Sequence, residues 1–482
     1  MRRAALLFAL LLTAAAQVSA QNSLRDKFNS FRQSAVSSYN SFRDDANRRY
    51  AEFLLTSWKK FRSLPAVGNP GDQTVPPVEY DGSGEQAGGS VEVPYIRFVS
   101  NPDGSVRPQP AATIEEQSWD KQQRFGFSCF GMNLTVRASS QNRLDLSSLD
   151  TGDISEAWNK LSGHEYNNMI LDLLEIRRER NLSDWAYLQV IRTFADKFLG
   201  SGDAATLLSA FIFSQSGYRM RLGMDENRLY LLFGTEDLIY DKAYFEIDGC
   251  NYFALDGDVS DMFIADIPCQ DEKSLSMSVG RQQLGDAVED RRSFSSKRYG
   301  VTAECAAGEG RMAFFSTYPA SQPGDDYMTR WAHYASAPMD EEVCSQLYPW
   351  LKFAILGKTA AESVDILLDF VQTAFPYRKD EDVWGEDRVF FAEETLFYPF
   401  CDCEDRSILF IRLVRDLLGF DVALVYYPEH LAAAVRIPDG AEGDSFSLPG
   451  GEYTICDPTY IGAPVGRTMP GMDNKEARLL LL

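Results

Sequence analysis

Apolar and polar positions follow several different rhythms along the 482 residues, and each rhythm predicts a different kind of element. The first is an unbroken apolar run, Ala4 to Ala16, behind Arg2 and Arg3 and ahead of the small residues Val18-Ser19-Ala20. A basic start, a short apolar middle and a small-residue exit predict a secretory signal peptide over 1–20, because the run is too short to cross a bilayer. The mature chain is then expected to be periplasmic or secreted. No cysteine follows the cleavage point, and no later stretch offers eighteen consecutive apolar residues. Neither a lipid anchor nor a membrane span is expected.

The second rhythm has a period of eleven. Phe28-x-x-Phe31-Arg32-x-x-Ala35 recurs from Tyr39 and again from Tyr50, and Phe61 opens a fourth copy. Such a period keeps an aromatic stripe on one side of a long helix over 21–62. Residues 24–62 read either as a membrane-surface helix or as one that packs on the body of the protein or on a second copy. The narrow stripe and the acidic chain favour packing, with self-association through 24–62 as one form of it.

Residues 63–92, rich in Pro, Gly and acidic residues, predict a linker. The region 93–335 mixes rhythms. Alternation in Val91–Phe98 and Phe125–Val136 predicts strands, and helical periods cover about 155–177 and 184–199, the second capped by Ser183. An apolar helix opening at Asp203-Ala204 is followed by strands at Tyr218–Leu222, Leu229–Phe233, Ala243–Ile247 and Tyr252–Asp256. Arg311–Thr317 also looks extended. From 336 to 482 come helices Glu341–Leu356 and Ala361–Phe375, a third apolar helix to Leu418, and strands Val422–Tyr427, His430–Val435 and Tyr453–Cys456 around a polar loop, 438–450.

Charge narrows the partners. The formal net charge is −23, and it grows more negative once the signal arginines are removed. A surface of that sign repels nucleic acid and anionic lipid. Eight cysteines are too few for a disulfide scaffold of this length. Cys250 with Cys269 is the one pair favoured; the others read as buried thiols. Three histidines with no ligand spacing give no reason to expect a metal or other cofactor.

The chemistry lies where Phe400-Cys401-Asp402-Cys403-Glu404-Asp405-Arg406 meets the apolar helix. At a helix N-terminus the free N–H groups and the dipole favour a thiolate at Cys403. His430 opens a strand 27 positions later, and Asp457 closes another 27 beyond that. A helix-end thiol facing an imidazole and a carboxylate on neighbouring strands makes a workable Cys–His–Asp site.

This order, with Tyr453-x-x-x-Asp457-Pro458-Thr459 at the strand end, resembles the transglutaminase-like superfamily over about 345–465, including Phe375-Pro376-Tyr377, Trp384 and Glu393-Glu394-Thr395-Leu396. The resemblance implies a papain-like α+β domain in which Cys403 is the nucleophile, His430 the acid and base, and Asp457 the group that orients it. The family often has Gly two residues before the Cys, where this chain has Cys401. Trp384 and Tyr398 are candidates to line the acyl pocket or to fill the core. The implied activity is an exported cysteine peptidase or amidase on protein or cell-wall peptide. Amine acyltransfer, or a binding protein without catalysis, are the alternatives.

The middle region echoes the same order. Ala204 and Asp256 lie 52 positions apart, Cys403 and Asp457 54. A degenerate copy without thiol or imidazole is one reading of 155–258, and chance recurrence is the other. The fold class expected is α+β: a long amphipathic helix, a linker, a middle domain and the C-terminal transglutaminase-like domain.

Overall fold

The computed structural model describes residues 43–69, 75–82, 88–99, 114–118, 123–163, 165–266, 272–285 and 291–482. The predicted signal peptide, the first part of the eleven-residue repeat up to residue 42, His164 and Cys269 lie outside these residues. Cys250 is a free thiol.

The described end of the aromatic repeat, 43–56, is a helix, α1. Only part of the stripe faces the body of the protein: Tyr50 is buried in the main core with Ala51 and Leu54 and stacks on Trp158 with ring centroids 4.3 Å apart, whereas Phe53 is exposed. The helix ends six residues before its predicted limit. Trp58–Phe61 is extended (β1) because a sheet edge offers it a full antiparallel ladder.

The protein is α+β, and two large sheets organise it, one antiparallel and one antiparallel except for its two edge strands. In the middle region, helices α2 (Asp184–Leu199) and α3 (Asp203–Gln215) precede strands β5 (Met220–Met224), β6 (Leu229–Thr235), β7 (Tyr244–Ile247), β8 (Cys250–Ala254) and β9 (Met262–Ala265). Ser183 caps α2 by accepting the Ala186 N–H. The sheet order is β1-β9-β5-β6-β8-β7. In the C-terminal region, α4 (Ala360–Ala374) and α5 (Cys403–Leu418) precede β10 (Val422–Tyr427), β11 (His430–Val435), β12 (Ser445–Leu448), β13 (Gly451–Cys456), the short β14 (Tyr460–Ile461) and β15 (Arg478–Leu481). There the order is β15-β10-β11-β13-β12, flanked by β3 (Ser90–Val91) beside β12 and β4 (Tyr95–Arg97) beside β15. Leaving out the flanking strands and β14, the two regions share one order: last, first, second, fourth, third, with every pair antiparallel. In each, the second helix lies against the first and second strands.

The stretch 63–92 is more than a spacer. Val78–Glu79 (β2) pairs with β14 and β3 pairs with β12, so the stretch contributes strands to the C-terminal region, while Leu64 at its start bridges Tyr244 of the middle sheet. Other local readings shift as well. Arg311–Thr317 lies mostly in a helix, Glu309–Phe315, because Met312, Phe314 and Phe315 are all buried, as a helix end wrapped by core allows and a one-faced strand does not. The period over 155–177 splits into Thr151–Leu161 and Asn167–Glu179. The polar loop 438–450 contains β12, whose Phe446 and Leu448 face a small second core between β-strands. Among the described residues, no helix is long and apolar enough to cross a membrane.

Candidate active site

An apolar run with no polar face can be stable only as a buried helix, and α5 lies against α4, β10 and β11. Gly419, at φ 68°, ends it in the left-handed conformation that glycine adopts most easily. A buried helix start needs partners other than water for its N–H groups. Asp405 serves that end: its Oδ2 accepts the Asp402 N–H at 3.2 Å, and its Oδ1 accepts the Phe390 N–H at 2.9 Å. Cys403 is the first residue of the helix.

His430 opens β11, and its Nε2 lies 2.8 Å from Asp457 Oδ2. The loop holding Asp457 is fixed from two sides. Its Oδ1 accepts the N–H groups of Thr459 (2.8 Å) and Tyr460 (3.3 Å). From α4, Gln372 donates through Nε2 to the carbonyls of Asp457, Tyr460 and Ala463. The other imidazole nitrogen, Nδ1, is buried and makes no hydrogen bond. With the proton on Nε2, facing the carboxylate, Nδ1 is an acceptor awaiting a donor.

Cys403 comes close to the same strand. The Leu431 backbone lies near its sulfur, and Ser407, one turn further along α5, donates to the Leu431 carbonyl at 2.9 Å. The thiol, however, donates to Glu404 Oε2 at 3.1 Å. The structure therefore joins His430 to Asp457 and brings Cys403 beside the next residue of β11, without a Cys–His hydrogen bond. The three residues are 0%, 1% and 3% exposed. Burial, followed by the charges of Glu404 and Asp402, holds the Cys403 thiol well above its ordinary range. Here desolvation outweighs the helix dipole, which corrects the expectation of a favoured thiolate.

The carboxyls around Cys403 form a set of their own. Asp380, Asp402, Glu404 and Asp405 are buried and Asp387 is half-buried. One oxygen each from Asp380, Asp402 and Asp405 lies within 4.8 Å of the others, and the same holds for Asp380, Asp387 and Glu404. Neither oxygen of Asp402 makes a hydrogen bond. Burial, with Glu404 next, pushes Asp380 up to about 8. Burial with Glu404 and Asp405 holds Asp402 well above the carboxylate range, and burial with Asp380 and Glu404 does the same to Asp405. Crowded buried carboxyls must hold protons or share a cation. All-oxygen donors suit a hard divalent ion such as Ca²⁺ or Mg²⁺. A search for imidazole spacing passes over such a set. Its signal in the sequence is the acidic run Asp380-Glu381-Asp382 and Glu386-Asp387 ahead of Asp402-Cys403-Glu404-Asp405.

Trp384 and Tyr398 are half-buried and pack on each other, with centroids 4.9 Å apart, and on Phe390. Arg388 lies over all three rings and pairs with Glu394 at 2.6 Å. This box braces the loop that supplies Asp380 and Asp387. Arg406, in the first turn of the helix, donates to the carbonyls of Phe375 and Pro458 and stacks on Tyr377. Cys401 and Cys456 are buried core thiols, as their small size predicts.

No family model matches the chain, and no curated protein or solved structure matches it. What the site can do must be argued from its own geometry.

Proposed function

We propose that the C-terminal region is a thiol acyl-transfer enzyme of transglutaminase-like, papain-like type, most simply an exported cysteine peptidase or amidase. The observation that carries this reading is the His430–Asp457 pair, with Nδ1 left open beside the strand that Cys403 touches. In the working form, Nδ1 takes the Cys403 proton. The thiolate then attacks an amide carbonyl, the C–N bond breaks as His430 returns the proton to the departing amine, and a thioester remains. Water activated by His430 releases the acid; an amine in its place gives acyl transfer. Asp457 keeps the imidazole in the tautomer both steps need. A peptide or protein, cell-wall peptide included, is the substrate class.

The middle region is, on this reading, a degenerate copy that supports the site. Counted from the helix starts it has Asp203 where α5 has Cys403, one position before the Ala204 that the sequence spacing pairs with the thiol; Leu229 stands where β11 has His430, and Asp256 lies just beyond β8 as Asp457 is beyond β13.

A second reading has a specific observation behind it. The Cys403 thiol is bonded to Glu404 and held in its neutral form, as in a binding protein that uses the fold without catalysis. Iodoacetamide labelling separates the two. An activated Cys403, once the reagent can reach it, alkylates faster than the other thiols and loses that advantage in His430→Ala; slow labelling of an accessible Cys403 that ignores His430 supports the binding protein. Mass spectrometry of a peptide pool with an added amine then distinguishes cleavage from amine incorporation.

A further inference from the structure

The segment 75–80, Val-Pro-Pro-Val-Glu-Tyr, touches the surroundings of all three candidate catalytic residues. The Val75 N–H donates to the carbonyl of Glu429, the residue before His430, at 3.2 Å. The Val75 carbonyl accepts from the hydroxyl of Tyr377 at 3.2 Å. Tyr377 forms a bridge with Cys401, two residues before Cys403, and stacks on Arg406 in the first turn of α5. Further along, Val78 and Glu79 pair in parallel with Tyr460 and Ile461, and the Tyr80 N–H donates to the Ile461 carbonyl at 2.9 Å. The Tyr80 ring meets the Tyr460 ring edge-on, three residues beyond Asp457. Val75, Val78 and Tyr80 pack on a small apolar cluster of Tyr460, Ala463 and Met469.

This is how an extended peptide is held by a protein: main-chain hydrogen bonds from an open edge, with alternate side chains in apolar seats. Two prolines fix the segment in the extended form such a seat needs. Its contacts bracket Cys403, His430 and Asp457, and all three are sealed from solvent. We propose that residues 75–80 lie in the groove that receives an extended peptide substrate, so that the chain's own segment holds the site closed. The inference rests on the acyl-transfer reading for what the groove is used for, but not for the closure itself. It names the recognised partner by chemistry: an extended segment with apolar side chains at alternate positions and proline tolerated between them. It also accounts for the absence of a Cys403–His430 bond, since the site described is the occupied one.

The test uses the full chain with Val78→Asp and Tyr80→Ala combined, which weakens the strap and leaves the site residues alone. Iodoacetamide labelling, read cysteine by cysteine by mass spectrometry, should rise about tenfold or more at Cys403 while Cys305 and Cys456 stay protected. A fluorescent VPPVEY peptide should bind the opened variant, leave the wild type alone and slow the labelling of Cys403. If the double variant exposes Cys456 as well, it has loosened globally, and Tyr80→Ala alone takes its place. Wild-type labelling in a folded strap variant overturns the closure. Faster labelling with no peptide binding overturns the groove. Labelling that rises but is indifferent to His430→Ala leaves the strap standing and sinks the acyl-transfer reading instead.

Discussion

The two sheets place the same strand order behind a buried helix, yet only one of the helix starts could carry chemistry. At α3 the first residue is Asp203, and its Oδ1 accepts the N–H of Leu229, the first residue of β6, at 2.7 Å. At α5 the first residue is Cys403, whose sulfur lies near the backbone of Leu431, the second residue of β11, and donates to Glu404 instead. In both regions the preceding helix holds the residue that follows the fourth strand: Arg192 of α2 pairs with Asp256 at 2.8 Å, and Gln372 of α4 binds the Asp457 carbonyl at 3.0 Å. The scaffold is shared and the side chains at its mouth are not. Where the C-terminal region gathers a thiol, an imidazole and a set of buried carboxyls, the middle region fills the same places with a carboxylate that holds a strand end and with a leucine. Architecture sets where a site can be; a few residues decide whether one exists.

The largest expected difference between the regions is catalytic. Cys403→Ala or His430→Ala should lower acyl transfer by about 10³-fold or more, with the double variant little worse than either single one, since the two act as a unit. Asp203→Asn in the middle region should leave the rate unchanged. A tenfold loss there would mean the middle region contributes to the reaction, and the comparison would have to be redrawn.

Next comes the carboxyl set, which has no counterpart among the described residues of the middle region. Acids whose folded pKa lies above the unfolded value hold extra protons in the folded state. Their stabilising contribution is complete below about pH 4, the ordinary unfolded value, and is lost as pH rises through the folded value, about 8 for Asp380. In chelator, thermal melts should therefore show stability falling between about pH 5 and pH 8, and Asp402→Asn or Asp380→Asn should flatten that slope. A divalent cation that replaces the protons should restore stability at pH 8, by about 2.7 kcal/mol at a concentration hundredfold above its Kd. The same cation should do nothing for Asp402→Asn. A flat melt across the range, with or without Ca²⁺, would show that the set is satisfied in some other way.

These contrasts also show what could be read from the residues alone. Helices α2 to α5 and most of the strands were legible because burial imposes a period, and caps such as Ser183 and Gly419 mark the ends. His430 and Asp457 were legible because each sits where a strand begins or ends. The ionisation of Cys403 was not, because helix position argues for the thiolate while burial and Glu404 argue against it, and only three dimensions say which is stronger. The carboxyl set was hidden because Asp380 joins it across 21 intervening positions. The strand role of 75–80 was hidden because Pro and Gly read as linker wherever a segment pairs for only two residues. Arg311 was misassigned because alternation over a few residues cannot tell a strand from a short helix inside the core.

A smaller effect tests how the silent helix start is held. Asp203→Ala removes the acceptor for the Leu229 N–H and should cost about 1–2 kcal/mol in denaturant unfolding. The iodoacetamide rate of Cys403 should not change. If Cys403 became more reactive, the two helix starts would be coupled rather than parallel.

The smallest effect is expected at the two closing aspartates' weaker member. Asp256 is about half exposed where it meets Arg192, so the pair is screened by water, and Asp256→Asn should shift stability by less than about 0.5 kcal/mol. The equivalent change at Asp457 touches a buried carboxylate that orients an imidazole, and it should cut acyl transfer while leaving the fold intact. Measuring both variants by urea unfolding and by Cys403 labelling gives four numbers, and the comparison requires only one of them to move. A large stability loss in Asp256→Asn would mean that the middle carboxylate is structural in a way its exposure does not suggest. Unchanged labelling and turnover in Asp457→Asn would remove the one feature that distinguishes the C-terminal carboxylate from its counterpart, and with it the argument that His430 is held for chemistry.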